Sequence, residues 1–246
     1  MTPSTLDNQR LDNQRIDDKT VVREYFNATG FDRWRRIYGD GEVNKVQVNI
    51  RAGHQKTIDN VLAWFAEDGD LSAITVCDAG CGVGSLSIPL AKLGAKVYAS
   101  DISEKMAAEA KVRAEAELGS SLSAEQMPEF EAKDLEEIDG SYHTVVCLDV
   151  LIHYPQEKAD AMIAHLSSLA TDRVILSFAP KTCFYATLKK VGDFFPGPSK
   201  ATRAYLHREA DVVKALEANG WTIGRRSLNK APFYFSRLLE ATRAGT

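Results

Sequence analysis

A chain of 246 residues has room for one α/β domain with an added cap, or for one large domain. With 44% hydrophobic and 26% charged residues it has an ordinary globular composition, and a net charge of -4 speaks against an electrostatic nucleic-acid binder. No apolar run approaches the roughly 18 residues of a membrane span, and the N-terminus has neither a secretory nor a transit pattern; the expected setting is cytoplasmic, with peripheral membrane contact left open.

Residues 1–17 contain a direct repeat, Leu6-Asp7-Asn8-Gln9-Arg10 and Leu11-Asp12-Asn13-Gln14-Arg15. Two copies are too few for a solenoid, and their polarity predicts a tail with little bearing on chemistry. Residues 18–70 read as a helical cap. A short helix carrying Val21, Val22, Tyr25 and Phe26 ends near Gly30, and a second spans Phe31–Tyr38. A longer one with Val43, Val46, Ile50, Ile58, Val61, Leu62 and Phe65 near helical spacing stops before Asp68-Gly69.

From Ile74 the pattern becomes strands alternating with helices, the mark of a mostly parallel sheet, and residues 71–246 form the expected core. Strands are predicted at 73–78, 95–100, 128–132, 143–149 and 172–178, with helices at 85–93, 103–118 and 156–170 between them. An insertion at 181–208 breaks the alternation before a helix at 208–218. The last two strands, 221–228 and 232–240, leave no room for a crossover helix and should form an antiparallel pair at the sheet edge.

The first predicted strand runs into Asp78-Ala79-Gly80-Cys81-Gly82-Val83-Gly84, where glycines let the backbone turn sharply and approach a ligand. A dinucleotide fingerprint needs Gly-x-Gly-x-x-Gly or Ala; counting from Gly80 meets Gly82 and then Ser85, with the third glycine one position early. Asp78 at the loop's start opposes a pyrophosphate and favours a cationic ligand. Asp101 ends the second strand and suits a carboxylate that accepts two ribose hydroxyls. The cysteines Cys77, Cys81, Cys147 and Cys183 lack the paired spacing of a zinc site, so most are expected to be reduced packing residues, with no resident metal.

With this loop, Asp101 and the terminal hairpin, residues 73–240 resemble the class I methyltransferases dependent on S-adenosylmethionine (SAM). The resemblance implies a Rossmann-like three-layer sandwich with a mostly parallel seven-stranded sheet. It also implies that Gly80, Gly82 and Gly84 cradle the methionine part of SAM and that Asp101, next to Ile102, holds the ribose. Asp134 and Leu135 flank the adenine; Leu148 and Asp149 lie beside the methyl-donor pocket. From its residue type alone, Asp134 equally suits a solvated turn.

Three segments bear on the acceptor: Arg33-Trp34-Arg35-Arg36-Ile37-Tyr38-Gly39, Leu148-Asp149-Val150-Leu151-Ile152-His153-Tyr154-Pro155, and the insertion. The insertion holds Phe184, Tyr185, Phe194, Phe195 and Tyr205 among six Lys or Arg and one acid. That mixture suits a flat, apolar, anionic ligand, and equally a helix pair with core aromatics and solvated lysines. Together with Tyr25-Phe26-Asn27, Gly30-Phe31-Asp32-Arg33-Trp34 and Phe195-Pro196-Gly197-Pro198-Ser199-Lys200, these segments resemble the magnesium-protoporphyrin IX methyltransferase family of chlorophyll biosynthesis.

That resemblance implies methylation of one porphyrin propionate to a monomethyl ester, with S-adenosylhomocysteine (SAH) as the other product and magnesium present only within the substrate. It implies functional contact with the porphyrin-binding subunit of magnesium chelatase, and the peripheral contact left open above would then be with photosynthetic membranes. His153 is expected to orient the propionate or to contact the magnesium, and otherwise to cap or pack. Tyr38 is the other candidate, reaching a carboxylate or packing by its ring. Arg33, Arg35 and Arg36 are weaker carboxylate contacts. A class I enzyme acting on another small molecule, such as a quinone or amine, and a SAM- or porphyrin-binding protein without turnover remain the competing readings.

Overall fold

Parallel strands buried on both faces read as continuous apolar runs, and Val76-Cys77, Val145-Val146-Cys147 and Val174-Ile175-Leu176 are such runs. The computed structural model describes residues 18–38, 42–181 and 204–243. The repeat tail and most of the predicted insertion therefore lie outside the described residues. Three helices come first: α1 (Asp18–Asn27), α2 (Thr29–Ile37) and α3 (Lys45–Ala66). The α/β part follows as β1 (Thr75–Ala79), α4 (Ser87–Lys92), β2 (Lys96–Asp101), α5 (Glu104–Leu118), β3 (Glu129–Ala132), β4 (Tyr142–Cys147), α6 (Gln156–Leu169) and β5 (Ala170–Phe178). It closes with α7 (Glu209–Ala218), β6 (Trp221–Ala231) and β7 (Tyr234–Arg243).

Among the described residues these strands form one seven-stranded sheet in the order β3-β2-β1-β4-β5-β7-β6. The first five pair in parallel; β7 runs antiparallel to both β5 and β6. The predicted terminal pair is present, and its return strand β7 lies inside β6, which forms the edge.

Alternation along each strand divides the core in two. Val145, Cys147, Val174 and Leu176 pack against Met162, Ile163 and Leu166 of α6 and Val212 and Leu216 of α7. The intervening Val146 and Ile175, with Val76 and Val97, face Ile58, Val61 and Phe65 of α3, Leu90 of α4 and Leu118 of α5. Each such buried side chain contributes about 1.5–3 kcal/mol relative to exposure. The helix predicted as part of the N-terminal cap, α3, thus shares its core with the sheet. Asn44 starts it through a capping box: its Oδ1 accepts from Gln47 N at 2.9 Å, and Gln47 Oε1 accepts from Asn44 N at 3.2 Å.

Strand order reverses between β1 and β4, whose neighbours β2 and β5 lie on opposite sides. Ligands of open α/β sheets bind at that switch point, beyond the strand carboxyl ends. The predicted loop and the segment after β4 both lie there. The two ends of the insertion also meet nearby, where Pro180 bridges His207.

Candidate active site

The loop after β1 turns through Gly80 at φ 84°, Gly82 at φ 55° and Gly84 at φ 80°, the left-handed region open to glycine. A Cβ on Gly80 would meet Val150 Cγ2 at 2.3 Å, so the loop and the segment after β4 are pressed together through the missing side chain. Gly80 N and Cys81 N donate to Ser100 O at 2.8 and 2.9 Å, tying the loop across to β2.

Asp101 completes that tie. Its Oδ2 accepts from Gly82 N at 3.0 Å and its Oδ1 from Ser103 N at 2.8 Å. Burial pushes its carboxyl up to about 6, against the pull of those two amides. Ser103 caps α5 by accepting from Met106 N at 3.2 Å and donates to Asn27 Oδ1 at 2.7 Å, which connects the loop to α1.

A cavity of about 270 Å³ opens over this cradle. Tyr38, Gly80, Gly82, Asp101, Ile102, Leu135, Leu148 and His153 line it, which brings most of the predicted site together. Asp78, Gly84 and Asp134 are not among its lining residues, each for a visible reason. Asp78 is buried beneath the loop and accepts from Ser87 Oγ at 2.5 Å, and burial pushes its carboxyl up to about 6. Gly84 faces helices, where an added Cβ would stand 3.3 Å from Ala110 Cβ and Ile88 Cδ1. Asp134 caps the short turn at Leu135–Glu137 and pairs with Lys19 at 3.4 Å. Asp78 thereby ties β1 to the start of α4, and Asp134 ties the turn after β3 to α1.

One wall of the cavity is a run of rings. His153 meets Phe26 edge-on at 5.4 Å, Phe26 neighbours Trp34 at 6.4 Å, Trp34 neighbours Tyr38 at 5.3 Å, and Tyr38 lies 4.4 Å from the His54 ring. The wall is held from outside by arginines at the end of α2, where helix carbonyls lack internal partners. Arg51 Nε donates to Ile37 O at 2.6 Å, and Arg113 Nη1 donates to Tyr38 O at 3.1 Å. Arg35 is committed to Glu109 at 3.1 Å, and neither it, Arg33 nor Arg36 lines the cavity.

Burial, with the charges of Asp149 and Asp101, holds the Tyr38 hydroxyl well above its ordinary pKa, so it remains a donor. Burial pushes the His153 imidazole down to about 4, outweighing Asp149, so the ring is neutral at pH 7. Its Nδ1 is buried without a hydrogen-bond partner. A polar atom left in that state costs about 1–3 kcal/mol, which a ligand that bonds to it recovers.

A second constellation, centred on Asp149, also lines the cavity. Asp149, at φ 58°, accepts from Ser177 Oγ at 2.8 Å and Ser236 Oγ at 3.2 Å through Oδ1. Its Oδ2 takes Tyr234 Oη at 2.7 Å and His54 Nδ1 at 2.9 Å. Burial alone would raise this carboxyl; His54, Tyr234 and Ser177 together hold it below its ordinary value. One carboxylate thus joins β4, β5, β7 and α3 around the cavity. The sequence placed Asp149 beside the pocket but gave no sign of His54 or Tyr234, whose partners lie 95 and 85 residues away. Asp149→Asn is expected to cost about 2 kcal/mol of stability, because its amide nitrogen would face a donor. An unfolding midpoint equal to that of the native protein would contradict the role.

The family described as "Magnesium-protoporphyrin IX methyltransferase C-terminus" matches residues 147–243, and a general "Methyltransferase domain" family matches 76–172. The chain is 64% identical over 225 residues to the chloroplastic magnesium protoporphyrin IX methyltransferase of Arabidopsis thaliana, covering 91% of this chain and 71% of that protein. It is 60% identical to the magnesium-protoporphyrin O-methyltransferase of a Synechocystis strain, covering 92% and 97% of the two chains. A crystal structure of the Synechocystis magnesium protoporphyrin IX methyltransferase with bound SAH superposes with a TM-score of 0.84 at 59% identity, covering 92% of this chain and all of that one. At these identities and coverages, and with the same seven-stranded fold, the chain belongs to the magnesium-protoporphyrin IX methyltransferase family of class I SAM-dependent enzymes.

Proposed function

We propose that this chain transfers a methyl group from SAM to one propionate carboxylate of magnesium protoporphyrin IX, giving the monomethyl ester and SAH. The single observation that carries this reading is the neutral His153 with an unpartnered buried Nδ1, set beside an aromatic wall and the glycine cradle. When bound, SAM supplies a sulfonium methyl that an ionised carboxylate oxygen takes by displacement, leaving SAH.

A propionate has an ordinary pKa of about 4.3 and is ionised at pH 7, so the chain needs no general base. What remains is orientation and exclusion of water. Gly80 and Gly82 leave backbone space for the methionine part, and Asp101 retains acceptor capacity for the ribose hydroxyls. His153 either donates from its ring N–H to the propionate or turns a lone pair to the magnesium. Tyr38, kept protonated, offers a second donor from across the wall. Neither side chain carries a positive charge that would quench the carboxylate nucleophile.

Asp101 also predicts a pH dependence. Its raised pKa means that the folded ligand-free chain holds a proton longer than the unfolded one, so that contribution to stability is lost as pH rises through about 6. SAM binding runs the other way, because the ribose needs the ionised acceptor. The dissociation constant for SAM should rise about tenfold for each unit of pH below that value. Calorimetric titration at several pH values checks it; a flat profile from pH 5 to 7.5 would contradict it.

Contact with the porphyrin-binding subunit of magnesium chelatase would deliver an apolar acceptor without release into water, and peripheral placement at photosynthetic membranes would serve the same end. No helix among the described residues is long and apolar enough to cross a membrane. Titration of the Soret band with magnesium protoporphyrin, followed by SAM and mass analysis, tests the main reading. Binding and gain of one methyl support it; an unchanged band rejects the porphyrin, and binding without methylation points to a carrier.

A further inference from the structure

The tip of the β6–β7 hairpin is built against local preference. Ala231 pairs with Tyr234, so Pro232 and Phe233 alone make the turn. Proline fixes a negative φ at the first position, while Phe233 has φ 65° at the second. A turn of that form normally takes glycine or asparagine at its second position, and a bulky side chain there is a strained exception. Such strain persists where the surroundings impose it and gathers at ligand clamps.

The surroundings here do impose it. Next to Phe233, the Tyr234 ring packs onto Gly53 of α3 so closely that a Cβ on that glycine would stand 2.3 Å from Tyr234 Cδ1. Tyr234 Oη is fixed by Asp149, and Thr57 Oγ1 lies 2.9 Å from it. The hairpin tip is therefore anchored to α3 and to the end of β4, and Phe233 rises from a rigid base. Phe233 is among the residues that line the cavity, yet it is 67% exposed, the most exposed large hydrophobic among the described residues.

The cavity, at about 270 Å³, is at the lower limit of ordinary ligand pockets, which run from about 300 Å³ upward. A cofactor over the glycine cradle and a macrocycle do not both fit inside it. Part of a flat acceptor must lie at the mouth, where Phe233 stands with Phe235 and Ile50 also lining the cavity.

We propose that Phe233 is a specificity-determining residue whose ring stacks on the exposed face of the macrocycle and clamps it at the rim while a propionate reaches inward. This inference rests on the porphyrin reading above. It explains why a costly side chain occupies a glycine position: the ring is worth more to acceptor binding than the strain costs the fold.

The test compares the native protein with Phe233→Gly and Phe233→Trp in steady-state methylation of magnesium protoporphyrin. Glycine relaxes the turn, so its melting temperature should equal or exceed that of the native protein. Its KM for the porphyrin should rise about tenfold, the upper range for one aromatic contact, with SAM affinity unchanged. Tryptophan should restore a KM near the native value. An unaltered KM in the glycine variant, or a KM raised equally by tryptophan, overturns the stacking role while leaving the porphyrin reading intact. Native protein that fails to methylate the porphyrin sinks both.

Discussion

His153→Phe is expected to lower turnover by about a hundredfold while SAM affinity stays within about twofold of the native value. Phenylalanine keeps the ring and its edge-on contact with Phe26, so the wall persists. What it removes is the polar edge, including the Nδ1 that finds no partner within the fold. Because that nitrogen is unpaired without ligand, its loss should not weaken the protein and should leave it as stable or slightly more so. A role in packing alone predicts the opposite pattern: native turnover with altered stability. Rate by product formation, SAM affinity by calorimetry and melting temperature separate the two.

Asp101→Ala should raise the dissociation constant for SAM by about a hundredfold. The carboxylate accepts from Gly82 N and Ser103 N and is the acceptor proposed for the ribose. Bonds to a charged group contribute about 1.5–3 kcal/mol each, so losing the ribose contact and loosening the loop together reach that magnitude. Asp101→Asn is no gentle control, since its amide nitrogen would face one of two backbone N–H groups. It should fall between alanine and the native residue. An alanine variant that binds SAM normally would mean that the loop holds its shape without Asp101, and that the ribose is held elsewhere.

The sheet was legible in the sequence because its strands obey a local rule. The buried stretches of these strands are short apolar runs bounded by turn or helix signals, so β1, β2, β4 and β5 appear within a few residues of their predicted limits. The cradle was legible for a similar reason, since three glycines and Asp101 sit at fixed distances along the chain. His153 and Tyr38 were placed by resemblance, and they do line one cavity.

The remainder depended on contacts between distant elements. Nothing about His54 in a helix of mixed polarity marks it as Asp149's partner, and Tyr234 reads as a strand residue until β7 folds back beside β5. The hydrogen bond from Ser87 to Asp78, nine residues back across the loop, is likewise not announced by the loop's spacing. Asp134 looked like a turn acid or an adenine contact; its ion pair with Lys19 involves α1, whose position the local sequence does not encode. The predicted insertion, with its aromatic and basic residues, lies mostly outside the described residues.

The most direct measurement of the central claim is an esterification assay with SAM as donor, comparing magnesium protoporphyrin IX with its metal-free form. The account predicts a single methyl gained by the magnesium compound with one SAH released per ester, and a clearly slower rate on the free base. Formation of SAH without porphyrin ester, or no transfer to the magnesium compound under conditions where both ligands bind, would contradict it.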